Sequence, residues 1–454
     1  MASPTGKFGK PAIEHSNPLA RTLLEKLDYD QLTNCMRCGF CLPACPTFHE
    51  TGMEPASPRG RIAMMKAAVD GLMVPDQQFK DQMNLCLGCR ACEPACPADV
   101  KYGQLIEQTK EAIAEHAHYT APVKILRNTL FKKVFPKRGS LKLLGGTLAL
   151  YQKSGLKKMA RASGMMRLFP KHLAEMESIM PPASSKGVVE RLGTFYPAQG
   201  EKVGTAAMFR GCIMDVMFAG TNVNTVELLS AAGFDVHIPD AQVCCGALHA
   251  HSGEINDARA LAKANIEVFK KLDIDYIVSN AGGCGALLVE YDHLLMQDDH
   301  YREDAKWFAE RVIDVSTLLV AKGNPLRFAE QAAGQEEVKV TYQDSCHLRN
   351  VMKGAHAPRV LMKKVANTEY IEMVDADRCC GSAGIYNVVQ PEMAGDILAH
   401  KMEHANNTQA SYMLTSNPGC LLQMKLGIEK HQPQQTMRAM HLVDFLRERM
   451  ISSK

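Results

Sequence analysis

The chain has 454 residues, 46% of them hydrophobic and 22% charged, with a formal net charge of +3. Such a length suggests about three domains, and the composition is that of ordinary globular material with ample core. No apolar run approaches the roughly 20 residues that span a bilayer, and the N-terminus, MASPTGKFGKPAIEHSNPL, lacks the apolar middle of a secretory signal. The expected location is therefore cytoplasmic. In a reducing compartment, the sixteen cysteines are expected to be metal ligands or catalytic groups rather than disulfides.

Residues 1–30 read as an arm followed by a short helix with Leu23, Leu24 and Leu27 on one face. A helical ferredoxin domain is expected over 31–115. It carries two copies of one spacing, Cys35-x-x-Cys38-x-x-Cys41-x-x-x-Cys45-Pro46 and Cys86-x-x-Cys89-x-x-Cys92-x-x-x-Cys96-Pro97. This is the bacterial-ferredoxin run for two [4Fe–4S] clusters, in which the fourth cysteine of each run ligates the other cluster. Cys35, Cys38, Cys41 and Cys96 are assigned to the first cluster, and Cys86, Cys89, Cys92 and Cys45 to the second. Zinc sites or disulfides would need no fourth cysteine followed by proline, twice, at identical offsets.

Between the runs, Ser57-Pro58 reads as a capped helix start. Ile62, Met65, Val69 and Leu72 then recur on one face, and a second helix from Asp76 carries Phe79 and Met83 inward. Tyr102, Leu105, Ile106, Thr109 and Ile113 repeat the pattern after Cys96. Arg59 and Arg61 either pair with the anionic clusters or lie at a solvated helix start.

Residues 116–202 form a basic amphipathic connector and linker. The window from His116 to Ala174 holds 13 lysines and arginines and no aspartate or glutamate, so the rest of the chain carries −10. Its amphipathic segments are expected to break at Pro136 and at Gly145-Gly146. Such a stretch suits peripheral contact with an anionic membrane surface or quinone site, or docking to an acidic partner. It carries no nucleic-acid-reading motif. Residues 180–202 read as linker.

The remainder is an internal repeat, with α/β modules expected over 203–322 and 323–454. Cys212, Cys244, Cys245 and Cys284 recur as Cys346, Cys379, Cys380 and Cys420 at offsets of 134 to 136 residues. Strands are expected at Ala206–Phe209, Phe234–Ile238 and Tyr276–Ser279, and at Val338–Tyr342, Tyr370–Val374 and Tyr412–Thr415. Helices such as Val216–Leu229 and Ile255–Phe269 separate them. The fold class is a mainly α ferredoxin domain followed by two repeated α/β Cys-Cys-Gly modules. Sites in such sheets form beyond the carboxyl ends of the strands, where two facing modules could gather eight thiols at one pseudo-twofold site. His249, His251 and His347 lie near these cysteines as candidate ligands or proton donors.

The words NCMRCGFCLPACPTF, SPRGRIAMMKA, NLCLGCRACEPACP and YGQLIEQ, with the paired Cys-Cys-Gly modules, resemble the iron–sulfur subunits of glycolate oxidase. The anaerobic glycerol-3-phosphate dehydrogenase and heterodisulfide reductase subunits are more distantly similar. The resemblance runs from about residue 30 to the end. It implies an electron-transfer subunit with no catalytic residues of its own. A partner subunit would carry FAD and oxidise a 2-hydroxy acid such as glycolate, and electrons would pass singly toward a quinone or another acceptor. The chain has no nucleotide-binding glycine fingerprint, which fits. In the heterodisulfide reductase type each module ends in Cys-x-x-Cys, whereas Leu287 and Gln423 stand at those positions here. This departure argues against disulfide-reducing chemistry and leaves open a third iron–sulfur cluster or another metal in the modules. Two competing readings are a disulfide or quinone reductase acting at the Cys-Cys-Gly crevice and a non-redox zinc scaffold.

Overall fold

The computed structural model describes residues 10–11, 15–329, 337–432 and 437–451. Most of the predicted N-terminal arm, at 1–9 and 12–14, lies outside these residues. The first helix, Pro18–Lys26, is capped by Asn17 and buries Leu19 and Leu23, with Leu27 just beyond its end.

Six short helices make the ferredoxin part, and their ends follow from local chemistry. Ser57 Oγ accepts from the Gly60 amide at 3.0 Å to start Pro58–Val69, and Asp76 accepts from the Phe79 amide at 3.0 Å to start Gln77–Asn84. Ile62, Met65, Val69, Phe79, Met83, Leu105, Ile106 and Ile113 form one core. Leu72 does not join them. The helix ends at Val69, Gly71 takes a left-handed φ of 71°, and Leu72 is 81% exposed.

The connector is helical nearly throughout. Ala121–Asn128 runs into a wide π-turn over Thr129–Val134, and Arg138–Lys153 follows Pro136. The expected break at Gly145-Gly146 is absent, for these glycines lie inside that helix. A Cβ on Gly145 would stand 2.3 Å from the Ser184 carbonyl oxygen and 3.0 Å from Val216. Glycine is needed there for close packing rather than for a turn. The helix is also held by Arg138 and Lys142 on Glu190, each at 2.5 Å.

The first module is a five-stranded sheet: β1 (Phe195–Tyr196), β2 (Gly204–Phe209), β3 (Phe234–His237), β4 (Tyr276–Ser279) and β5 (Val312–Asp314), in the order β1-β3-β2-β4-β5. All neighbours are parallel except β1, which runs antiparallel to β3. The segment read as linker thus contributes an edge strand. The second module has β6 (Val338–Tyr342), β7 (Thr368–Tyr370), β8 (Tyr412–Thr415) and β9 (Arg438–His441), all parallel, in the order β7-β6-β8-β9. It repeats the first module without β1. The strand expected at Tyr370–Val374 ends at Tyr370, and Val374 is exposed.

The two modules share one core. Val226, Leu229, Phe234 and Leu318 of the first pack with Tyr342, Leu361, Leu442 and Phe445 of the second. Polar contacts seal the seam, with Thr221 and Asn224 donating to Asp444 at 2.8 and 2.9 Å. The repeat includes a polarity reversal just beyond β2 and β6. Buried Arg210 pairs with Asp215 at 3.2 Å, while buried Asp344 pairs with Arg349 at 2.7 Å, at the same five-residue spacing.

Candidate iron–sulfur and thiol sites

The two cysteine runs of the ferredoxin part take the same backbone path. Arg37 and Gly39 have φ of 56° and 92°, and their counterparts Gly88 and Arg90 have 68° and 58°. Each loop therefore holds two left-handed residues, one glycine and one arginine, in opposite order. A non-glycine residue is uncommon there. Arg90 is held by Glu93 at 2.9 Å and by Glu290 of the first module, and Arg37 accepts a hydrogen bond from Arg59 Nη1 at its carbonyl, 3.1 Å away.

A solvent-open pocket is lined by Cys35, Cys38, Cys41 and Cys96, with Cys92, Arg59 and Tyr102 also on its wall. The fourth cysteine of the second run thus reaches the first run. Reciprocally, the buried Cys45 thiol lies within electrostatic reach of Cys89 and Cys92. Burial, then neighbouring thiolates, pushes Cys89 and Cys92 well above the ordinary thiol range. Burial also raises Cys86, but Arg61, Lys110, the Tyr102 hydroxyl and the Gly88 amide outweigh it and leave Cys86 below its ordinary value. Thiols held this way ionise together only with a cation among them.

Arg61 and Arg59 prove to be different residues. Arg61 is 1% exposed, donates to the Gln82 carbonyl at 2.7 Å and to Thr47 Oγ1 at 3.1 Å, and faces Cys86 and Cys45. Arg59 is partly exposed and bidentate on Glu54 at 2.7 and 3.0 Å, while its backbone amide serves Cys41.

In the modules, every cysteine lies just beyond the carboxyl end of a strand, as open α/β sheets require. They gather as two quartets rather than one set of eight. Cys212 Sγ donates to Cys244 Sγ at 3.5 Å, and Cys245 and Cys284 continue the line. Cys346, Cys379, Cys380 and Cys420 repeat it. Asn417 bridges the two, accepting from the Gly283 amide at 3.0 Å and donating to Cys420 Sγ at 3.5 Å. The hydrogen bond each thiol gives its neighbour, and then burial, holds Cys212 and Cys346 well above the ordinary range.

The quartets differ in surroundings. The second adjoins the ferredoxin part: Cys346 and Cys379 share an apolar cluster with Leu87 and Cys89, and His347 Nε2 lies 3.0 Å from the Gly88 carbonyl oxygen. Lys401 is buried facing Cys380 and Cys379, and its burial brings it down to about 8 despite those thiols. In the first module, the residue 135 positions earlier is the buried apolar Ile266. Leu287 lies in the core, and Gln423 accepts from Asn387 at 2.9 Å, so neither stands as a free fifth ligand.

The three candidate histidines are engaged elsewhere. His249 Nε2 meets the Phe131 carbonyl oxygen at 2.9 Å, and His251 lies 3.4 Å from Glu107 and meets the His347 ring at a tilt, centroids 5.4 Å apart. Among the described residues, the one trio of His, Cys, Asp or Glu side chains with ligand atoms mutually within 4.8 Å is His49, Glu50 and His400. No cysteine trio among the described residues is so tight. No motif spacing links the three residues, for His400 lies 350 positions after Glu50.

Three family models match the chain: a 4Fe-4S dicluster domain over 31–100, the linker region of the glycolate oxidase iron-sulfur subunit over 122–180, and a cysteine-rich domain over 206–289 and 340–425. The chain is 48% identical over 426 residues to a protein of Bacillus subtilis (strain 168) described as a probable glycolate oxidase iron-sulfur subunit, covering 93% of this chain and 95% of that one. The chain belongs to the glycolate oxidase iron–sulfur subunit family. A glycolate oxidase iron-sulfur subunit of Escherichia coli (strain K12) is 27% identical over 86% of this chain and 88% of its own length. Lactate utilization protein A of Geobacillus thermodenitrificans (strain NG80-2) is 30% identical over 54% of this chain and 98% of its own length. Membership makes this an electron-transferring iron–sulfur subunit of an oxidoreductase complex. Among the described residues, no helix is long and apolar enough to cross a membrane.

Proposed function

We propose that the chain serves a flavin-dependent glycolate dehydrogenase, with FAD and substrate oxidation on a partner subunit and a quinone or another one-electron acceptor downstream. The observation that supports this reading is the position of Cys96, from the second run, on the wall of the pocket lined by Cys35, Cys38 and Cys41 of the first. Cys35, Cys38, Cys41 and Cys96 would hold one [4Fe–4S] cluster, and Cys86, Cys89, Cys92 and Cys45 the other. When bound, such clusters accept electrons singly, as a two-electron flavin donor requires. The chain's own residues set their surroundings. Arg61 keeps a positive charge beside Cys86 and Cys45, and Phe79, Met83 and Ile62 exclude water from one side. The second quartet, against Cys89 and charge-compensated by Lys401, is the better-suited place for a third iron–sulfur group. The relatives' printed names, glycolate oxidase and lactate utilization, support a 2-hydroxy acid as substrate class.

Anaerobic purification from the native host, followed by low-temperature EPR before and after glycolate, lactate or glycerol 3-phosphate, tests the assignment. Reduced-cluster signals with glycolate alone, together with a co-purifying flavoprotein, are expected. A chain that purifies alone and is reduced by none of the three would end the hydroxy-acid reading.

The connector supplies the docking face in this proposal, toward an anionic membrane surface. Arg127, Arg138, Lys142, Lys157 and Arg161 are tied to Glu254, Glu190 and Glu177. Lys132, Lys133, Lys153 and Lys158 are left to act outward, beside exposed Ile125, Leu126, Leu143, Leu150 and Leu168. Co-sedimentation with anionic vesicles that survives neutralisation of these four lysines would count against it.

A further inference from the structure

Outside the cysteine sites, one contact between the ferredoxin part and the second module has an unusual chemical make-up. His49 and Glu50 lie on the helix Pro46–Thr51, which starts directly from Cys45, and His400 lies on the helix Pro391–Asn407 of the second module. His400 Nδ1 is 2.9 Å and His49 Nδ1 3.4 Å from the same oxygen, Glu50 Oε1. The two imidazole rings meet edge to face with centroids 5.6 Å apart. Three potential ligand atoms, from two imidazoles and one carboxylate, thus converge within 4.8 Å of one another.

Charge makes this more than a polar contact. The Glu50 side chain is 8% exposed, and among the described residues its ion-pair partners are these two histidines. The carboxylate is thus largely withdrawn from water beside two imidazole nitrogens, and a buried carboxylate is costly unless it is paired. A divalent ion bound by the three groups removes that cost, and both histidines are exposed enough to leave a fourth position to water.

We propose that His49, Glu50 and His400 form a binding site for a divalent transition-metal ion, zinc being the best match to two imidazoles and one carboxylate. The site is separate from the sixteen cysteines and independent of the proposed electron-transfer role. It fastens the helix leaving Cys45 to the second module, beside the place where Lys401, the next residue along, turns inward to Cys380 and Cys379. The ion therefore fixes the ferredoxin part against the module that its second cysteine run adjoins.

The test uses anaerobically purified, iron-loaded full-length protein. Zinc binding is measured by equilibrium dialysis with metal analysis, alongside thermal melting, in the wild type and in His400→Gln, Glu50→Gln and His404→Gln. The wild type and His404→Gln are expected to take up one zinc per chain more than His400→Gln and Glu50→Gln, with equal iron content in all four. Zinc should raise the melting temperature only where that extra ion binds. Equal zinc uptake and affinity in all four proteins would overturn the proposal and leave the trio a hydrogen-bonded latch. So would a zinc-dependent rise in melting temperature that persists in both His400→Gln and Glu50→Gln.

Discussion

Asn350 donates its side-chain amide to the carbonyl oxygen of Cys89 at 2.9 Å, so a residue four positions after Cys346 holds the backbone of a cysteine from the ferredoxin part. The loop carrying Cys89 is thereby shaped by the second module. Replacing Asn350 with alanine would leave a mostly buried carbonyl unpaired and is expected to cost about 1 kcal/mol of stability. Low-temperature EPR of the variant should show an altered signal from the cluster assigned to Cys86, Cys89, Cys92 and Cys45, with the other signal unchanged.

The crossed runs predict which single substitutions share a phenotype. Cys41→Ser and Cys96→Ser, 55 positions apart, should damage the same cluster and spare the other, and Cys45→Ser should group with Cys89→Ser. Iron content and EPR of the four variants decide this. A Cys96→Ser protein that keeps the cluster of the first run and loses that of the second would exclude crossing.

Arg61 is buried with its charge toward Cys86 and Cys45. Arg61→Gln should lower the reduction potential of that cluster, on the order of 100 mV for one charge at short range in a partly screened interior. Arg61→Lys keeps the charge and should shift it far less. Both lose hydrogen bonds to Gln82 and Thr47, so a fall in melting temperature is expected in both. Redox titration separates the two effects.

Asp314, at the end of β5, is buried, and burial pushes its carboxyl up to about 6 although Ser316 and Thr317 amides hold one oxygen. The other oxygen has no hydrogen-bond partner. A carboxyl raised in the folded state contributes stability at low pH, below its ordinary value of 3.8, and loses it as pH rises through about 6. The loss amounts to roughly 3 kcal/mol by neutral pH. Asp314→Asn should flatten the wild-type decline in stability between pH 4 and 7, read as the difference between the two melting curves.

The two connector glycines should behave oppositely. Gly145→Ala forces a Cβ against the Ser184 carbonyl oxygen and is expected to destabilise by about 1–3 kcal/mol. Gly146→Ala meets only Ser185 Cβ at 3.7 Å and should stabilise the helix by up to about 1 kcal/mol. Thermal melting of the pair reads both.

Some of this was legible in the sequence and some was not, for identifiable reasons. The cysteine runs are local, so their spacing alone suggested two clusters and their crossing. The repeat offsets located the strands that lead to cysteines, because Cys212 and Cys346 sit three and four residues beyond β2 and β6. Strands β1, β5 and β9 went unseen because none of them leads to one of the repeated cysteines that located the others. Leu72 kept the helical spacing but fell beyond a left-handed glycine. Gly145-Gly146 looked like a break because sequence does not reveal that Ser184 approaches the helix. The division of the eight module cysteines into two quartets, and the asymmetry between Lys401 and Ile266, depend on contacts that no spacing encodes.

The reversed ion pairs, Arg210 with Asp215 and Asp344 with Arg349, have a consequence for how the halves stay distinct. The modules are similar enough that strand β6 could seek β2's place during folding. Exchange of the two strands alone would set Asp344 beside Asp215 and Arg210 beside Arg349, like charges in each case, the two carboxylates largely out of water. The polarity acts as an address label. It lets a duplicated chain keep two nearly interchangeable sheets from trading parts while the second is still being made.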